Sequence, residues 1–390
     1  MVKGKDQTYA RDSNVKAVFR LLSENDLSCS ELAEITGLSK PAITNITLEM
    51  FRLNLIKAGV KTDGGKLALG RKRTYLTINP DFGMVAAVDF STVVITIRLC
   101  DMVGNTIEQR QLADSEFISE EILENITALL REMLALPSVE GKELLSLCIA
   151  ASGMVDSRNN RIVVSPKFQA CKDINLCEYF SQRFSCRVEL KNDMNLALLS
   201  ECRRGKLKGV SNAAMLYVDS GIGGALLIDD KVREGERGFA GEFGLITVRK
   251  GRKKLPIDAV CSINAIKDSI RERGIPDCLS ENFHFADVVT AYYNGDKTVV
   301  SAVEESAEVL SEVIGNLFVG LDCRKIIISG RVIRLGETYL NKLRVGLRRQ
   351  DYCVEFSGLN GNGPIMGAIF EAVNIALDVV IARRLNTRNR

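Results

Sequence analysis

The sequence predicts an α/β protein with a winged helix-turn-helix domain at the N-terminus, followed by a two-lobed body. Within the first 80 residues, two short helical segments precede a hairpin with a basic tip. After residue 80, two strand-rich segments with aspartate turns at Asp89 and Asp219 open two halves of similar pattern. The chain of 390 residues also exceeds the size of one ordinary hydrophobic core, so more than one domain is expected.

The segment 30–49 has the pattern of two short helices joined by a tight turn. Gly37 suits the left-handed residue that closes the first helix. Ser39 suits the N-cap of the second helix, and Pro41 suits its first turn. The residues predicted to face inward are Leu32, Ala33 and Ile35 on the first helix and Ile43, Ile46 and Met50 on the second. Those predicted to contact DNA, as small polar or basic types do, are Ser39, Lys40, Thr44, Asn45 and Thr47.

A basic wing is predicted to follow this helix pair. Arg71, Lys72 and Arg73 crowd a loop before a strand, where they could reach a phosphate or the minor groove. Residues 1–80 contain 13 Lys and Arg against 8 Asp and Glu, whereas the remainder contains 39 against 41. A basic N-terminal domain on a nearly neutral body favours nucleic acid over membrane as the partner. The alternative is a solvated helical hairpin in an enzyme's N-terminal extension.

The composition is that of a soluble globular protein, with 46% hydrophobic and 26% charged residues. We find neither an N-terminal apolar signal region nor a run of 18 apolar residues, and expect a cytoplasmic protein without membrane contact. Eleven scattered cysteines without a C-x-x-C motif fit a reducing compartment. A single histidine excludes a metal site built from several histidines.

The body has an internal duplication. Each half opens with a strand, an aspartate turn and a β-hairpin, and each continues with helices and further strands. Such a duplication predicts the two-lobed actin-like, ribonuclease H-like ATPase fold, with a ligand cleft between the lobes. We predict a DNA-binding domain at residues 1–80 and a body at 81–390. Lobe one is expected at about 81–193 plus the C-terminal helix, and lobe two at about 194–370.

Three polar motifs of the body could bind a small ligand. Asn192 offers a donor and an acceptor to sugar hydroxyls, and Asp193 could accept a hydroxyl proton or only a hydrogen bond. Glu242 lies between glycines on a backbone that can approach a ligand closely. The glycines that could present N–H groups to phosphate are Gly221, Gly223 and Gly224. The structural alternatives are a helix cap for Asn192-Asp193 and a simple turn for the glycines.

With these motifs in this order, the chain from about residue 14 to 382 resembles the ROK family of bacterial repressors and sugar kinases. It is most similar to the winged-helix members of the xylose-repressor and N-acetylglucosamine-repressor type. The resemblance implies a sugar-binding and catalytic-base segment at L-K-N-D-M-N, a sugar-contacting loop at G-F-A-G-E-F-G and a second phosphate loop at S-G-I-G-G-A. The implied sugar site comprises Ser152, Gly153, Asn192, Asp193, Glu242 and Asp258, and the implied phosphate loops comprise Asp89, Ser220, Gly221, Gly223 and Gly224.

Two departures from the family pattern change what we expect of cofactors. Family kinases have Asp-x-Gly-Gly-Thr in the first phosphate loop, where this chain has Asp89-Phe-Ser-Thr-Val, so we expect weak or absent ATP binding. Zinc-bearing members have a histidine where Leu245 stands and a cysteine cluster where Cys261 is alone, so we expect no zinc. The basic segment 249–254 replaces part of that region, either as a solvated loop or as a contact for DNA or an anionic ligand.

These observations favour a sugar-responsive transcription factor, most simply a repressor of a carbohydrate-use operon, acting on double-stranded operator DNA as a homodimer or dimer of dimers. One alternative is a sugar kinase that phosphorylates a hexose or N-acetylhexosamine with ATP and Mg²⁺, with Asp193 as its base. Another is a constitutive DNA-binding protein with an inactive cleft. The sequence leaves the sugar, the operator and the sign of regulation open.

Overall fold

The computed structural model describes residues 7–59, 74–92, 94–112, 117–347 and 351–388. The chain divides into two compact units, of which the first comprises residues 1–149, 168–189 and 368–390. The second comprises residues 150–167 and 190–367. This division places residues 150–167 and 190–193 with the second unit, so the residues of the implied sugar site all belong to one unit.

The N-terminal domain is a helix-turn-helix followed by a β-hairpin. Its elements are α1 (Gln7–Glu24), β1 (Leu27–Ser28), α2 (Cys29–Thr36), α3 (Lys40–Arg52), β2 (Ile56–Gly59) and β3 (Tyr75–Ile78). The strands form an antiparallel sheet in the order β1-β3-β2. The hairpin of β2 and β3 has the position of a wing. Its segment 60–73, with Arg71, Lys72 and Arg73, lies outside the described residues.

Local hydrogen bonds set the ends of α2 and α3. Ser28 and Glu31 form a reciprocal capping box at the start of α2, and Gly37 closes the helix with a φ of 68°. The Ala42 N–H donates to Ser39 Oγ at 3.4 Å, so Ser39 caps α3 as the sequence predicts. Pro41 lies in the first turn of α3.

The predicted core of the domain is correct at four of six positions, and Ala33 is half-buried. Leu32, Ile43, Ile46 and Met50 are buried, whereas Ile35 is 56% exposed. The prediction for Ile35 is wrong because α2 is only eight residues long, and its neighbours cover the side that carries Leu32 but not the side that carries Ile35.

The body contains the remaining helices and strands. In chain order these are β4 (Met84–Asp89), β5 (Ile95–Asp101), β6 (Thr106–Leu112), α4 (Glu120–Leu134), β7 (Leu144–Ala151), β8 (Met154–Asp156), β9 (Arg161–Val164), α5 (Leu176–Phe184), β10 (Arg187–Asn192), α6 (Asp193–Arg204), β11 (Ala213–Val218), β12 (Ile222–Ile228) and β13 (Lys231–Val232). They are followed by β14 (Thr247–Lys250), β15 (Lys253–Pro256), α7 (Asp258–Cys261), α8 (Ile263–Arg273), α9 (Phe285–Tyr293), α10 (Lys297–Leu321), β16 (Lys325–Ser329), α11 (Gly336–Val345), β17 (Cys353–Phe356) and α12 (Gly363–Arg388).

The predicted duplication is present in the strand order of the two large sheets. The first sheet has the order β10-β7-β4-β5-β6, and the second has the order β13-β12-β11-β16-β17. In each sheet the strand that comes first along the chain lies in the middle. It pairs with the next strand along the chain in an antiparallel hairpin, β4 with β5 and β11 with β12. Asp89 ends the first strand of one sheet, and Asp219 directly follows the first strand of the other, so the two aspartates occupy corresponding positions.

The second sheet is covered by helices on both faces. Ile326 and Ile328 of β16 point into a core formed with α7 to α11. Ile327, between them, points to the opposite face and packs with Leu198 of α6. This alternation follows the two-residue period of a strand and makes the second unit a three-layer α/β/α structure.

Helix α12 begins in the second unit and continues into the first. At its start, a Cβ on Gly367 would lie 2.0 Å from the Leu196 carbonyl oxygen, so α12 and α6 approach closely there. Residues 363–383 are long and apolar enough to cross a membrane by length and composition, but 56% of their most apolar window is buried inside the protein. A core helix of a soluble protein passes the same test, so this helix is weak evidence for a membrane span.

Candidate functional site

The exposed face of α3 carries polar side chains suited to DNA contact. Lys40, Thr44 and Asn45 are exposed, while Ile43 and Ile46 hold the opposite face in the core. The Thr44 hydroxyl donates to the Lys40 carbonyl oxygen at 2.9 Å. Because the side-chain amide of Asn45 offers both a donor and an acceptor, it is suited to reading a base edge.

Thr47 does not belong to this face. It is 3% exposed, its hydroxyl donates to the Thr44 carbonyl oxygen at 3.1 Å, and its oxygen lies 3.8 Å from Cys29 Sγ of α2. The prediction that Thr47 faces outward is wrong because the residue lies one turn after Ile43, on the side of α3 that packs on α2. Thr47 stabilises the helix pair rather than offering a DNA contact.

A groove of about 500 Å³ between α1 and α3 extends the exposed face of Asn45. Arg11, Asn14 and Arg52 line it, and Arg11 forms an ion pair with the buried Glu49. These polar residues were not predicted, since no motif in the sequence pairs α1 with α3. A basic groove beside a base-reading residue is suited to contact with the phosphate backbone.

In the second unit, Asn192 and Asp193 lie at the junction of β10 and α6. Asn192 Oδ1 accepts the N–H groups of Met194 at 2.9 Å and Asn195 at 3.0 Å, so it caps α6. Asn192 Nδ2 donates to the Gly153 carbonyl oxygen at 3.0 Å. The helix-cap alternative is therefore correct as geometry, and it leaves one amide N–H of Asn192 for a ligand.

Asp193 is a buried carboxylate at the N-terminus of α6. It is 6% exposed, and its Oδ1 accepts the Met194 N–H at 2.9 Å. The positive end of the helix dipole stabilises a negative charge at this position. Burial, and then the nearby charges of Asp219 and Asp193, raise the pKa of Tyr217. The Asp193 and Asp219 carboxylates are thus both close enough to Tyr217 to raise the pKa of its hydroxyl group.

Gly153 contacts Asn192 through its carbonyl oxygen, which accepts the hydrogen bond from Asn192 Nδ2. Its φ is 98°, and a Cβ there would lie 2.4 Å from the Val164 carbonyl oxygen, so only glycine fits. Ser152, the preceding residue, is half-buried. Both follow the buried strand β7, as the sequence predicts.

The loop around Glu242 is fixed by glycines that pack against neighbouring backbone. A Cβ on Gly241 would lie 2.4 Å from the Gly224 carbonyl oxygen, and one on Gly238 would lie 2.3 Å from the Val155 carbonyl oxygen. Glu242 is thereby placed beside the glycine segment of β12. Burial raises the pKa of its carboxyl.

The glycine segment 220–224 is less open than the sequence suggests. Gly223 and Gly224 lie within β12, paired with Tyr217 and Leu216 of β11, so the turn itself is limited to residues 219–221. A Cβ on Gly224 would clash with the Phe243 ring at 2.4 Å. Gly224 is therefore required by the close packing of β12 against Phe243.

Two carboxylates accept N–H groups of this turn. The Ser220 N–H donates to Asp219 Oδ1 at 2.7 Å, and the Ile222 N–H donates to Asp258 Oδ1 at 2.6 Å. Asp258, implied as a sugar contact, therefore also holds the glycine turn. Its other oxygen is the one that a sugar hydroxyl could reach without breaking this bond.

Arg331 pairs with Asp219 at the same turn. Arg331 Nε lies 2.8 and 3.0 Å from the two Asp219 oxygens, Nη2 donates to Oδ1, and the Arg331 backbone N–H donates to Oδ2 at 2.9 Å. Burial favours a raised pKa for Asp219, but the hydrogen bonds from Arg331 and Ser220 outweigh it and hold that pKa below its ordinary value. Arg331 was not predicted, because no motif in the sequence marks it.

The segment implied as the first phosphate loop belongs to the first unit. Asp89 is 5% exposed, and its Oδ1 accepts the Ser91 N–H at 2.8 Å. The Thr92 hydroxyl donates to the Val94 carbonyl oxygen at 2.8 Å, and Val93 lies outside the described residues. Asp89 thus closes a local turn with one oxygen.

Within the described part of the chain, no group of three His, Cys, Asp or Glu side chains is placed to hold a metal ion. Leu245, at the position of the family histidine, is 61% exposed. Cys261 is fully buried, and burial raises the pKa of its thiol to about 12. Because zinc binds the thiolate, this thiol is a poor ligand where it lies.

Comparison with known proteins gives consistent results. The model of the ROK family matches residues 85–368. The xylose repressor of Caldicellulosiruptor bescii is 24% identical over 377 residues, covering 91% of this chain and 92% of that protein. The xylose repressor of Bacillus subtilis is 21% identical, with 96% and 98% covered.

Solved structures show the same fold. A ROK family transcriptional regulator, described as a homolog of the E. coli MLC protein, matches with a TM-score of 0.82 and 21% identity over 96% of this chain and 99% of that one. A ROK family glucokinase from Streptomyces griseus, in complex with glucose and AMPPNP, matches with a TM-score of 0.62 and 23% identity over 75% of this chain and all of that one. The regulator thus covers the N-terminal domain as well as the body.

Proposed function

This chain belongs to the ROK family, and on that premise we propose that it is a sugar-responsive, DNA-binding transcriptional regulator of the cytoplasm, acting as a repressor. The observation that carries the proposal is α3, with Lys40, Thr44 and Asn45 exposed on one face and Ile43 and Ile46 buried on the other. A sugar kinase has no need of such a helix. The relatives named as xylose repressors match along more than nine tenths of the chain, including this domain.

The effector of this regulator is a neutral sugar bound in the second unit. Asn192 keeps an amide N–H for a sugar oxygen, while Asp193, Glu242 and Asp258 are carboxylates that accept hydrogen bonds from hydroxyl groups. An acceptor-rich site selects a polyhydroxyl ligand without negative charge. The names of the relatives make xylose the first sugar to test, followed by glucose. The family resemblance adds N-acetylglucosamine to the panel.

Regulation follows from linkage between the sugar and DNA. A sugar that binds more tightly to the conformation with the weaker DNA affinity lowers DNA binding, by at most the ratio of its affinities for the two conformations. One winged domain contacts few base pairs, so a homodimer or a dimer of dimers on a two-fold operator completes the proposal.

We further propose that the chain has lost sugar-kinase activity and uses neither ATP nor zinc. A phosphate entering the glycine turn would have to displace the Asp219 and Asp258 carboxylates from the Ser220 and Ile222 N–H groups. It would also meet both negative charges, of which Arg331 balances one. The kinase alternative rests on Asp193, which the family resemblance implies as a catalytic base, and on the structural match to the glucokinase.

A coupled assay for ADP release, run with each sugar and with Mg²⁺ and ATP, separates these two functions. We expect ADP release to be no faster with any sugar than without it. We also expect at least one sugar to raise the melting temperature of the protein. Sugar-dependent ADP release that is abolished by Asp193→Asn would establish the kinase instead. No thermal shift with any of the sugars would favour a constitutive DNA-binding protein.

A further inference from the structure

The hairpin of β14 and β15 presents a dense group of cations on the second unit. Arg249, Lys250, Arg252, Lys253 and Lys254 fall within six residues that include no acidic residue. In the register of the hairpin, Arg249 lies opposite Lys254, and Lys250 lies opposite Lys253. Like charges directly opposite each other destabilise a pair of strands, so both cross-strand pairs cost the hairpin stability.

The neighbouring structure supplies little negative charge to offset this. Lys250 Nζ lies 3.3 Å from Glu305 Oε1, but Glu305 also forms an ion pair with Arg273. Arg249, Arg252, Lys253 and Lys254 are all exposed, and within the described ranges of the chain they form no ion pair. The Glu305 carboxylate therefore pairs with two cations, Lys250 and Arg273, and the other four cations of the hairpin face solvent.

The hairpin holds these cations on a fixed support. Val248 and Leu255 lie opposite each other and pack against the core of the second unit. Arg249 and Lys254 are therefore on the opposite face of the hairpin, whereas Lys250 and Lys253 follow Val248 and Leu255 on the same face, beside the turn. Gly251 has a φ of 60° at the first position of the two-residue turn, as a type II′ turn requires of a glycine. The cations are thus presented by an ordered element, since the packing of Val248 and Leu255 and the tight turn fix the orientation of the hairpin.

We propose that this hairpin binds the phosphate backbone of double-stranded DNA. The inference rests on the proposed function, which places the chain on DNA. Residues 249–254 contain three lysines and no aromatic residue, whereas protein interfaces are depleted in lysine and enriched in aromatic residues. Phosphates need only cations at the right spacing. The contact adds affinity that does not depend on sequence.

The test measures the salt dependence of binding of the full-length protein to a random-sequence duplex. Arg249→Ala, Arg252→Ala and Lys254→Ala are combined in one variant. A control variant combines Arg187→Ala, Lys231→Ala and Lys342→Ala, which removes the same charge elsewhere on the body.

Each phosphate contact contributes about 0.9 to the slope of log affinity against log salt. We expect the magnitude of this slope to fall by about two to three in the hairpin variant and by less than about one in the control variant. An unchanged slope in the hairpin variant, or equal losses in both, would overturn the proposal.

Two further readouts separate other outcomes. The hairpin variant should melt at the same or a higher temperature than the wild type, because like-charge repulsion is relieved, so weaker binding cannot be ascribed to unfolding. A polyglutamate peptide of matched charge should bind the wild type much more weakly than the duplex. Polyglutamate that binds tightly and only through the hairpin would assign the surface to an acidic protein and overturn the DNA proposal.

If selected DNA binds and Asn45→Ala weakens it, while the hairpin variant keeps the wild-type salt slope, only the hairpin proposal is wrong. If the wild-type protein binds no DNA under low salt, the proposed function itself fails.

Discussion

Arg331 holds the Asp219 carboxylate with both its side chain and its backbone, since its Nε and its backbone N–H donate to the same group at 2.8 and 2.9 Å. The two residues follow neighbouring parallel strands, in which Tyr217 of β11 is paired with Ser329 of β16. Each lies two positions beyond that pair. Their contact therefore joins the ends of these two strands of the second sheet, directly at the glycine turn.

We predict that Arg331→Ala lowers the free energy of unfolding at neutral pH by about 1–3 kcal/mol, the range for leaving a hydrogen-bonded charge without its partner. Half of the Arg331 side chain is exposed, so solvent screening keeps the effect well below that of a fully buried pair. Urea unfolding measures it. Arg334→Ala, which removes a neighbouring exposed cation, is the control and should have little effect.

The same variant should change the pH dependence of stability. The folded pKa of Asp219 lies below its unfolded value, so this carboxylate contributes stability that is present above the unfolded pKa and is lost as the pH falls through the folded pKa. The difference between wild type and Arg331→Ala should therefore shrink as the pH falls below about 4. A difference that stays constant down to about pH 2, below the ordinary range of an aspartate, would contradict this role of the ion pair.

On α3, Asn45→Ala and Thr47→Ala should separate recognition from stability. Asn45→Ala should cost about 1–3 kcal/mol on selected DNA and little on random DNA, because it removes a base contact. Thr47→Ala should instead lower the melting temperature while the ratio of selected to random affinity stays near that of the wild type, because Thr47 is buried. Both are measured by DNA titration and thermal unfolding. Equal loss on both DNAs for Asn45→Ala would rule out a base-reading role.

The close crossing of α6 and α12 predicts a strong effect of a single methyl group. Gly367→Ala places a Cβ 2.0 Å from the Leu196 carbonyl oxygen and should cost about 1–3 kcal/mol by overpacking. A Cβ on Gly320 in α10 would meet no neighbouring atom of the described residues within 4 Å, so Gly320→Ala should be neutral or stabilising by up to about 1 kcal/mol. Chemical denaturation of both variants checks the prediction. A Gly367→Ala variant as stable as wild type would mean that the helices are further apart.

We also predict that the protein contains no stoichiometric zinc. Leu245 is exposed where a ligand would stand, and the Cys261 thiol is buried with a raised pKa. Elemental analysis of protein purified without a metal-affinity tag measures this. About one zinc per chain would show that the site has been misassigned.

The sequence predicts the fold better than it predicts the site, for a physical reason. Helix ends at Gly37 and Ser39 and the aspartate turns at Asp89 and Asp219 depend on local chemistry, which a sequence displays. The Asp258 bond to Ile222 and the Arg331 bond to Asp219 join residues 36 and 112 positions apart. The Arg331 contact follows from strand pairing, so a prediction that β16 lies beside β11 would have brought Arg331 to the turn.

Thr47 illustrates a different limit. The helical period separates inward from outward positions, but whether a residue near the boundary is buried depends on the residues that pack beside it. Here Cys29 of α2 lies against Thr47 and buries it. The predictions for Lys40 and Asn45, further from the boundary, place these residues on the exposed face that the structure shows.

In the proposed mechanism, sugar binding alone controls DNA affinity. The decisive measurement is the affinity for selected DNA as a function of sugar concentration, without any nucleotide. With a sugar that raises the melting temperature, we predict a saturable fall in DNA affinity of about 5- to 150-fold, the usual range of such coupling. Asp193→Asn should shift the fall to higher sugar concentration, by about 1–3 kcal/mol in binding free energy, without abolishing it. DNA affinity that does not change at a saturating concentration of a sugar that binds, or that changes only when ATP is present, would rule out control of DNA binding by the sugar alone.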